Sequence, residues 1–238
     1  MMLGARTGAW TKSGGGTPTA RDYVQDGLVA MFHLKENAGW GIYDENATRW
    51  TNLVTGQLAS NSGFVFTPSG AYVHTQTALP VPAFSLFEHS VEARISRFPN
   101  TEQNHGVQLV QYMSINGGQL AATGFTTQRQ PIRTRQYIYE IRGGLLAPTD
   151  ILPEDKHTLA ATFEYDGALT SRVRFYIDGA LLKESTSQGS LTHLEKDSIY
   201  TYLNANNYLD RLNVYSRAIT AEEIARNYAI DKAMFNLP

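Results

Sequence analysis

The chain has 238 residues, with 20 Lys and Arg against 22 Asp and Glu and a formal net charge of −2. It therefore has no excess of one sign to draw it to nucleic acid or to an anionic membrane. It has no cysteine, which excludes a disulfide framework and leaves the redox compartment open. A chain of this length suits one large β domain and buries roughly 70% of its unfolded surface without staples.

The first segment, 1–22, is rich in Gly and Thr and contains Gly14-Gly15-Gly16. It has no apolar h-region, so no secretory signal is expected. No apolar run in the chain approaches the roughly 20 residues of a membrane span. With too few apolar residues to fold alone, the segment reads as an arm that docks through Leu3, Trp10 or their neighbours. It is expected to make protein contacts in a homo-oligomer or a particle. The domain proper is expected to run from Tyr23 to Pro238.

From Tyr23 onward the rhythm is β. Leu28 to His33 reads as a strand that is apolar on both faces. A long irregular stretch, Glu36 to Asn52, follows. Phe64–Phe66 and Ala71–His74 flank the turn Pro68-Ser69-Gly70. In Ser90–Arg97, Val91, Ala93 and Ile95 are expected to face in, and Glu92, Arg94 and Ser96 out. Val107–Ile115 and Gln136–Arg142 continue the pattern. Thr158 to Glu184 gives the clearest hairpins, with Asp178-Gly179 as a two-residue turn in which glycine tolerates positive φ. Asp210, Leu212 and Val214 alternate with Arg211, Asn213 and Tyr215 in a last strand. Thr220 then reads as a helix N-cap, with Glu223 completing a capping box and Ile219 and Ile224 at the staple positions. The helix is expected over Ala221 to about Lys232, packed through Ile224 and Tyr228. Short strands at regular spacing, with turn signals between them, predict an antiparallel β-sandwich or jelly roll with one C-terminal helix.

The ending from Tyr208 to Ile224 resembles the last strand and helix of the concanavalin A-like jelly rolls, the LamG and pentraxin-related domains. These often end in a phrase such as I-D-E-V-R-I-Y-N-R-A-L-S-x-E-E-I. Gly27-Leu28-Val29-Ala30-Met31-Phe32 looks like their first strand, and Phe175-Tyr176-Ile177-Asp178-Gly179 like their F-Y-V-D-G hairpin. Trp50-Thr51-Asn52-Leu53-Val54-Thr55-Gly56 looks like their W-x-D-L-S-G element, with Asn52 where Asp is usual. The front of the domain, Tyr23–Leu28 and Glu36–Gly41, also looks like lectin-like proteins of gut bacteria and their prophages.

The resemblance brings in glycoside hydrolases, whose retaining glucanases carry E-x-D-x-x-E on one strand. Glu195-Lys196-Asp197 supplies the first pair without the third acid, so catalysis is not expected. The six histidines show neither H-x-H nor H-x-x-x-H spacing, and no metal site is expected from them. No cofactor is expected. Calcium, which many relatives hold at a sandwich rim through Asp, Asn and backbone oxygens, is the one candidate. Asp210 reads as a hydrogen-bonded structural acid.

What remains is a binding surface. Sugars present C–H patches to aromatic faces and hydroxyl pairs to amides and carboxylates. Trp40, Tyr43, Asp44 and Asn46 offer both kinds of group in one loop, and Asn204, Asn206, Asn207 and Tyr208 in another. The competing reading makes the aromatics core plugs and the asparagines turn formers. The two loops are expected to lie together at one rim of the sandwich. The sequence thus favours a non-catalytic, lectin-like recognition or adhesion module that binds a glycan, in a phage or phage-derived particle. A virion decoration protein that binds only protein, and a glycoside hydrolase, are the alternatives.

Overall fold

Among the described residues, the strand alternation resolves into two antiparallel sheets, forming an all-β sandwich with one α-helix at the C-terminal end. The computed structural model describes residues 16–33, 54, 64–67, 70–73, 77–79, 87–97, 107–113, 119–128, 134–141, 144–146, 157–166, 170–188, 200–204 and 208–237. A 3-10 turn, Ala20–Asp22, precedes β1 (Leu28–His33), β2 (Phe64–Thr67), β3 (Gly70–Val73), β4 (Thr77–Leu79) and β5 (Glu88–Arg97). Then come β6 (Val107–Met113), β7 (Gln119–Gln128), β8 (Thr134–Ile141), β9 (Gly144–Leu146) and β10 (His157–Tyr165). The chain ends with β11 (Thr170–Ile177), β12 (Ala180–Gln188), β13 (Tyr200–Asn204), β14 (Tyr208–Tyr215) and α1 (Ala221–Phe235). Among the described residues, the larger sheet has 8 strands, ordered β12-β11-β10-β5-β14-β3-β2, with β1 also paired to β14. The smaller has 6, ordered β4-β13-β6-β7-β8-β9.

One face of the larger sheet carries the apolar core. Leu212 and Val214 of β14 lie opposite Ala93 and Val91 of β5. On β10, Leu159 and Ala161 lie opposite the same two residues. Val173 and Phe175 of β11 pair with Phe163 and Ala161, and Phe32 and Ala30 of β1 with Leu212 and Val214. All are buried. Each large side chain removed from water on such a face contributes about 1.5–3 kcal/mol.

The opposite face departs from the expectation. Glu92 and Arg94, which alternation alone places toward solvent, are 0% and 2% exposed. The reason is α1, which covers that face together with the segment leading into β1. Ile219 and Ile224 pack with Val24, Ala160, Tyr176 and Tyr215, and Ile230 and Met234 with Tyr23 and Met31. The larger sheet is therefore covered on both sides along β5, β10 and β14.

The helix begins as its sequence predicts. Thr220 Oγ1 accepts from Glu223 N–H (3.2 Å), and Thr220 N–H donates to Glu223 Oε2 (2.8 Å). Arg217 clamps the same carboxylate through two guanidinium bonds of 2.9 and 2.7 Å. Arg217 and the helix-start bonds hold Glu223 below the usual carboxylate range, the Arg217 hydrogen bonds first. Thr220→Ala is expected to cost about 0.5–2 kcal/mol in urea unfolding by loss of the cap; unchanged stability would contradict it. The helix runs to Phe235, beyond the expected Lys232, and closes on Asn236 in the left-handed region at φ 52°. Its buried stripe is Ile224, Asn227, Ile230, Asp231 and Met234. Tyr228 is only half-buried. It lies over the Asp178-Gly179 turn, where both residues have positive φ, 49° and 80°. A Cβ on Gly179 would stand 3.0 Å from Tyr228 Cβ, so this turn needs glycine for space as well as for φ.

Candidate functional site

The structure bears on the expected sugar-binding rim through the strands that flank it. Trp40, Tyr43, Asp44, Asn46, Asn206 and Asn207 lie outside the described residues, as do Leu3, Trp10, Trp50, Glu195 and Asp197. Asn204 ends β13 in the smaller sheet, and Tyr208 begins β14 in the larger one. The segment 205–207 thus joins the two sheets. Asn204 stands in register with Gln108 at the start of β6. Tyr208 stands opposite Arg97 at the end of β5 and Tyr72 near the end of β3.

The strand that leads toward Trp40 leaves the larger sheet at this same end. β1 runs antiparallel to β14, and its last residue, His33, pairs with Arg211, three positions from Tyr208. β2 begins there as well, with Phe64 opposite Val73. The strands flanking 34–63, 74–76, 98–106 and 205–207 therefore end or begin at one end of the sandwich. The residues in register there, Tyr72, Arg97, Gln108, Asn204 and Tyr208, are aromatic, cationic or amide in kind. Loops at such an end commonly carry binding function on a rigid scaffold.

Among the described residues, no group of three or more His, Asp or Glu could hold a metal ion. A shallow cleft of about 260 Å³ lies beside the 3-10 turn, lined by Ala20, Arg21, Gln25, Leu28, Met31 and Val54. On the outer surface, Arg174 bridges Glu164 and Glu184 at 2.6 Å each. Such a surface ladder contributes little to stability.

Among the described residues, the densest polar chemistry lies beneath α1. Arg211 presents Nε and Nη2 to the two oxygens of Asp231 at 2.8 and 2.7 Å. Asp231 also accepts from the Tyr23 hydroxyl (2.7 Å) and from Thr158 Oγ1 (2.7 Å). The Tyr23 ring lies under the guanidinium, 4.8 Å from centroid to Cζ. Arg211 Nη1 reaches Glu92 Oε2 at 3.3 Å, and Asn227 Nδ2 donates to the same oxygen at 2.7 Å. Arg211, Glu92, Asn227 and Asp231 are all 0% exposed. Burial alone would pull the Arg211 guanidinium down, but Asp231 and Glu92 hold it well above its ordinary value. Burial, reinforced by the Asp231 charge, pushes the Tyr23 phenol well up.

Both acids are shut off from solvent in this structure. Their work is to tie α1 and the residues before β1 to the sheet. Val24 N–H donates to Asn227 Oδ1 at 2.9 Å, which fixes the incoming chain to the helix. The sequence carried a partial signal. Arg211 alternates with the core residues Leu212 and Val214, and Asn227 and Asp231 are one turn apart on the face that holds Ile224. Asp210 is buried, as expected of a structural acid, and its carboxylate lies 3.9 Å from Arg94 Nε, an ion-pair distance rather than a hydrogen bond.

No family model and no curated protein matches the sequence. The fold has solved counterparts. A Trypanosoma rangeli sialidase, solved with 2,3-difluoro-KDN, superposes with a TM-score of 0.61 at 15% identity. That match covers 97% of this chain and 36% of the sialidase, so the chain spans about a third of it. Domain 4 of AbnA, an extracellular GH43 arabinanase from Geobacillus stearothermophilus solved with arabinotriose, gives a TM-score of 0.54 at 13% identity. Here 85% of this chain and 98% of that domain are covered. A botulinum neurotoxin type C structure, described as depending on two ganglioside molecules for cell entry, gives 0.56 at 10% identity, covering 85% of this chain and 50% of that one. At these identities the likeness is one of fold.

Proposed function

We propose that the chain is a non-catalytic, lectin-like carbohydrate-recognition module of the concanavalin A-like kind, carried on a phage or phage-derived particle. The observation that carries this reading is the fold match to domain 4 of the arabinanase AbnA, a domain solved with arabinotriose and covered over 98% of its length. Support for a non-catalytic role is the absence of a third acid after Glu195 and Asp197. The particle reading rests on the resemblance of Tyr23–Leu28 and Glu36–Gly41 to prophage lectin-like sequences, with the arm 1–22 as the element that meets protein partners.

The binding surface in this reading is the rim where β1 ends and β14 begins. Trp40 and Tyr43 stack on sugar rings. Asp44, Asn46, Asn204, Asn206 and Asn207 bond hydroxyls, and Tyr208 borders them. Calcium, if bound, belongs at the same rim. A single sugar binds at about millimolar, or roughly 4 kcal/mol, and useful adhesion arises from many copies acting together. In an NMR titration with arabino-oligosaccharides and sialylated oligosaccharides, the wild type is expected to bind one class weakly. Trp40→Ala combined with Asn206→Ala is expected to lower that affinity at least tenfold with the fold retained. Unaltered binding in the double variant would refute the site. The second reading, a decoration protein that binds only protein, rests on the Gly-rich arm; it predicts no response to any sugar and particle binding lost on deleting 1–22.

A further inference from the structure

Glu92 is the member of the buried cluster whose bonds do not balance as a carboxylate. Its Oε2 lies within reach of Arg211 Nη1, the Tyr215 hydroxyl and Asn227 Nδ2. Its Oε1 is buried with no hydrogen-bond partner. Two acids, Glu92 and Asp231, face one guanidinium, and Asp231 takes the two short bonds of the fork. If both acids are ionised, the cluster holds one negative charge without a counter-charge, in a place that water does not reach.

The neighbouring amide shows how the imbalance is relieved. With the Asn213 side chain turned so that its oxygen faces donors, it accepts from Arg211 Nη1 at 2.9 Å and from the Tyr215 hydroxyl at 3.2 Å. Arg211 Nη1 then has an acceptor shorter than Glu92. Tyr215, donating to Asn213, presents its oxygen lone pairs to Asn227 Nδ2 at 3.0 Å and to Glu92 Oε2 at 3.3 Å. That last contact is a hydrogen bond only when Glu92 carries the proton.

We propose that Glu92 is a proton-operated latch for α1. As a neutral acid it donates to Tyr215 and lets the helix seat; as a carboxylate it sets an unmatched charge beneath Asn227 and Asp231 and loosens the helix. The groups that face it are Arg211, Asn213 and Tyr215 from β14, Asn227 and Asp231 from α1, and Ala160 from β10. Tyr23 of the incoming segment stands behind Asp231. Arg94, two residues along β5, is turned to Asp210. Because Val24 and Tyr23 bond Asn227 and Asp231, loosening α1 also frees the segment that joins the arm 1–22 to the domain.

Burial, opposed by the Arg211 charge, raises the Glu92 carboxyl from 4.5 to about 7. An acid raised on folding gives the folded chain more protons than the unfolded chain between those two values. Stability then falls as pH rises through that window and is flat above it, the reverse of ordinary acid unfolding. Between pH 5 and pH 8 this one group lowers the folding constant roughly 50–100-fold, which for a chain of this size is about 5–10 °C in Tm.

The test compares thermal unfolding of the full chain and its Glu92→Gln variant from pH 5 to pH 8. The wild type is expected to lose those degrees relative to the variant. Every other titratable group is common to the two proteins, so the difference isolates Glu92. Hydrogen exchange, corrected for intrinsic rates, should show amides of 221–235 opening at pH 8 in the wild type more than in the variant. Should the variant fail to fold, infrared difference spectra of the wild type alone decide the matter. A buried carboxylic-acid C=O band should be present at pH 5.5 and gone at pH 8. Parallel pH profiles for the two proteins, or a wild type with no such band, would overturn the proposal.

Discussion

Arg211→Met is expected to lower stability by about 3–5 kcal/mol in urea unfolding. Methionine keeps the packing of the side-chain stem and removes the cation alone. Asp231 then loses both bonds of the fork while remaining buried beside Glu92. The loss includes more than the ion pair, because Asp231 also orients Tyr23 and Thr158. Replacing Arg211, Asp231 and Glu92 together by apolar residues of similar volume is expected to recover much of that loss, since no charge is then stranded. A single variant within 1 kcal/mol of wild type would show that the cluster does not hold the helix.

Phe163→Ala is expected to cost about 3–5 kcal/mol. Phe163 is 0% exposed at the centre of the larger sheet. It stands between Val173 on β11 and His89 on β5, with its ring 5.1 Å from the His89 ring. Both neighbours are held by strand pairing, so the cavity left by the ring closes poorly. The two predictions separate the two faces of the sheet. The Phe163 loss should vary little with pH, whereas substitutions in the cluster beneath α1 should alter the pH dependence that Glu92 gives the wild type. Equal pH profiles for Phe163→Ala and Glu92→Gln would contradict that division.

The parts of the fold that were legible in the sequence are those set by local chemistry. Thr220 and Glu223 mark a helix start because their side chains bond the first free N–H groups whatever lies beyond. Asp178-Gly179 marks a hairpin because few residues accept two consecutive positive φ values. The period of two also separated Val91 and Ala93 from Glu92 and Arg94 correctly. It could not say that the second face was covered as well. That depends on α1 folding back over β5, a contact far along the chain between polar residues that each look like surface residues alone. Asn227 and Asp231 interrupt the apolar stripe of the helix, and Arg211 and Glu92 beneath them explain their place. Of the proposed rim, the described residues include the flanking strands and not the loops that carry Trp40, Tyr43 and Asn206. The register of β1, β13 and β14 brings the flanks of its two loops to one end, a long-range pairing that no local pattern encodes.

Carbohydrate recognition by this sandwich, as proposed, is decided by a glycan array probed with the chain displayed in many copies. The display matters because single-site binding is expected to be weak. Retention is expected on a restricted set of glycans, and it should be lost when the same display carries Trp40→Ala with Asn206→Ala. A well-folded multivalent display that binds no glycan on the array would contradict it.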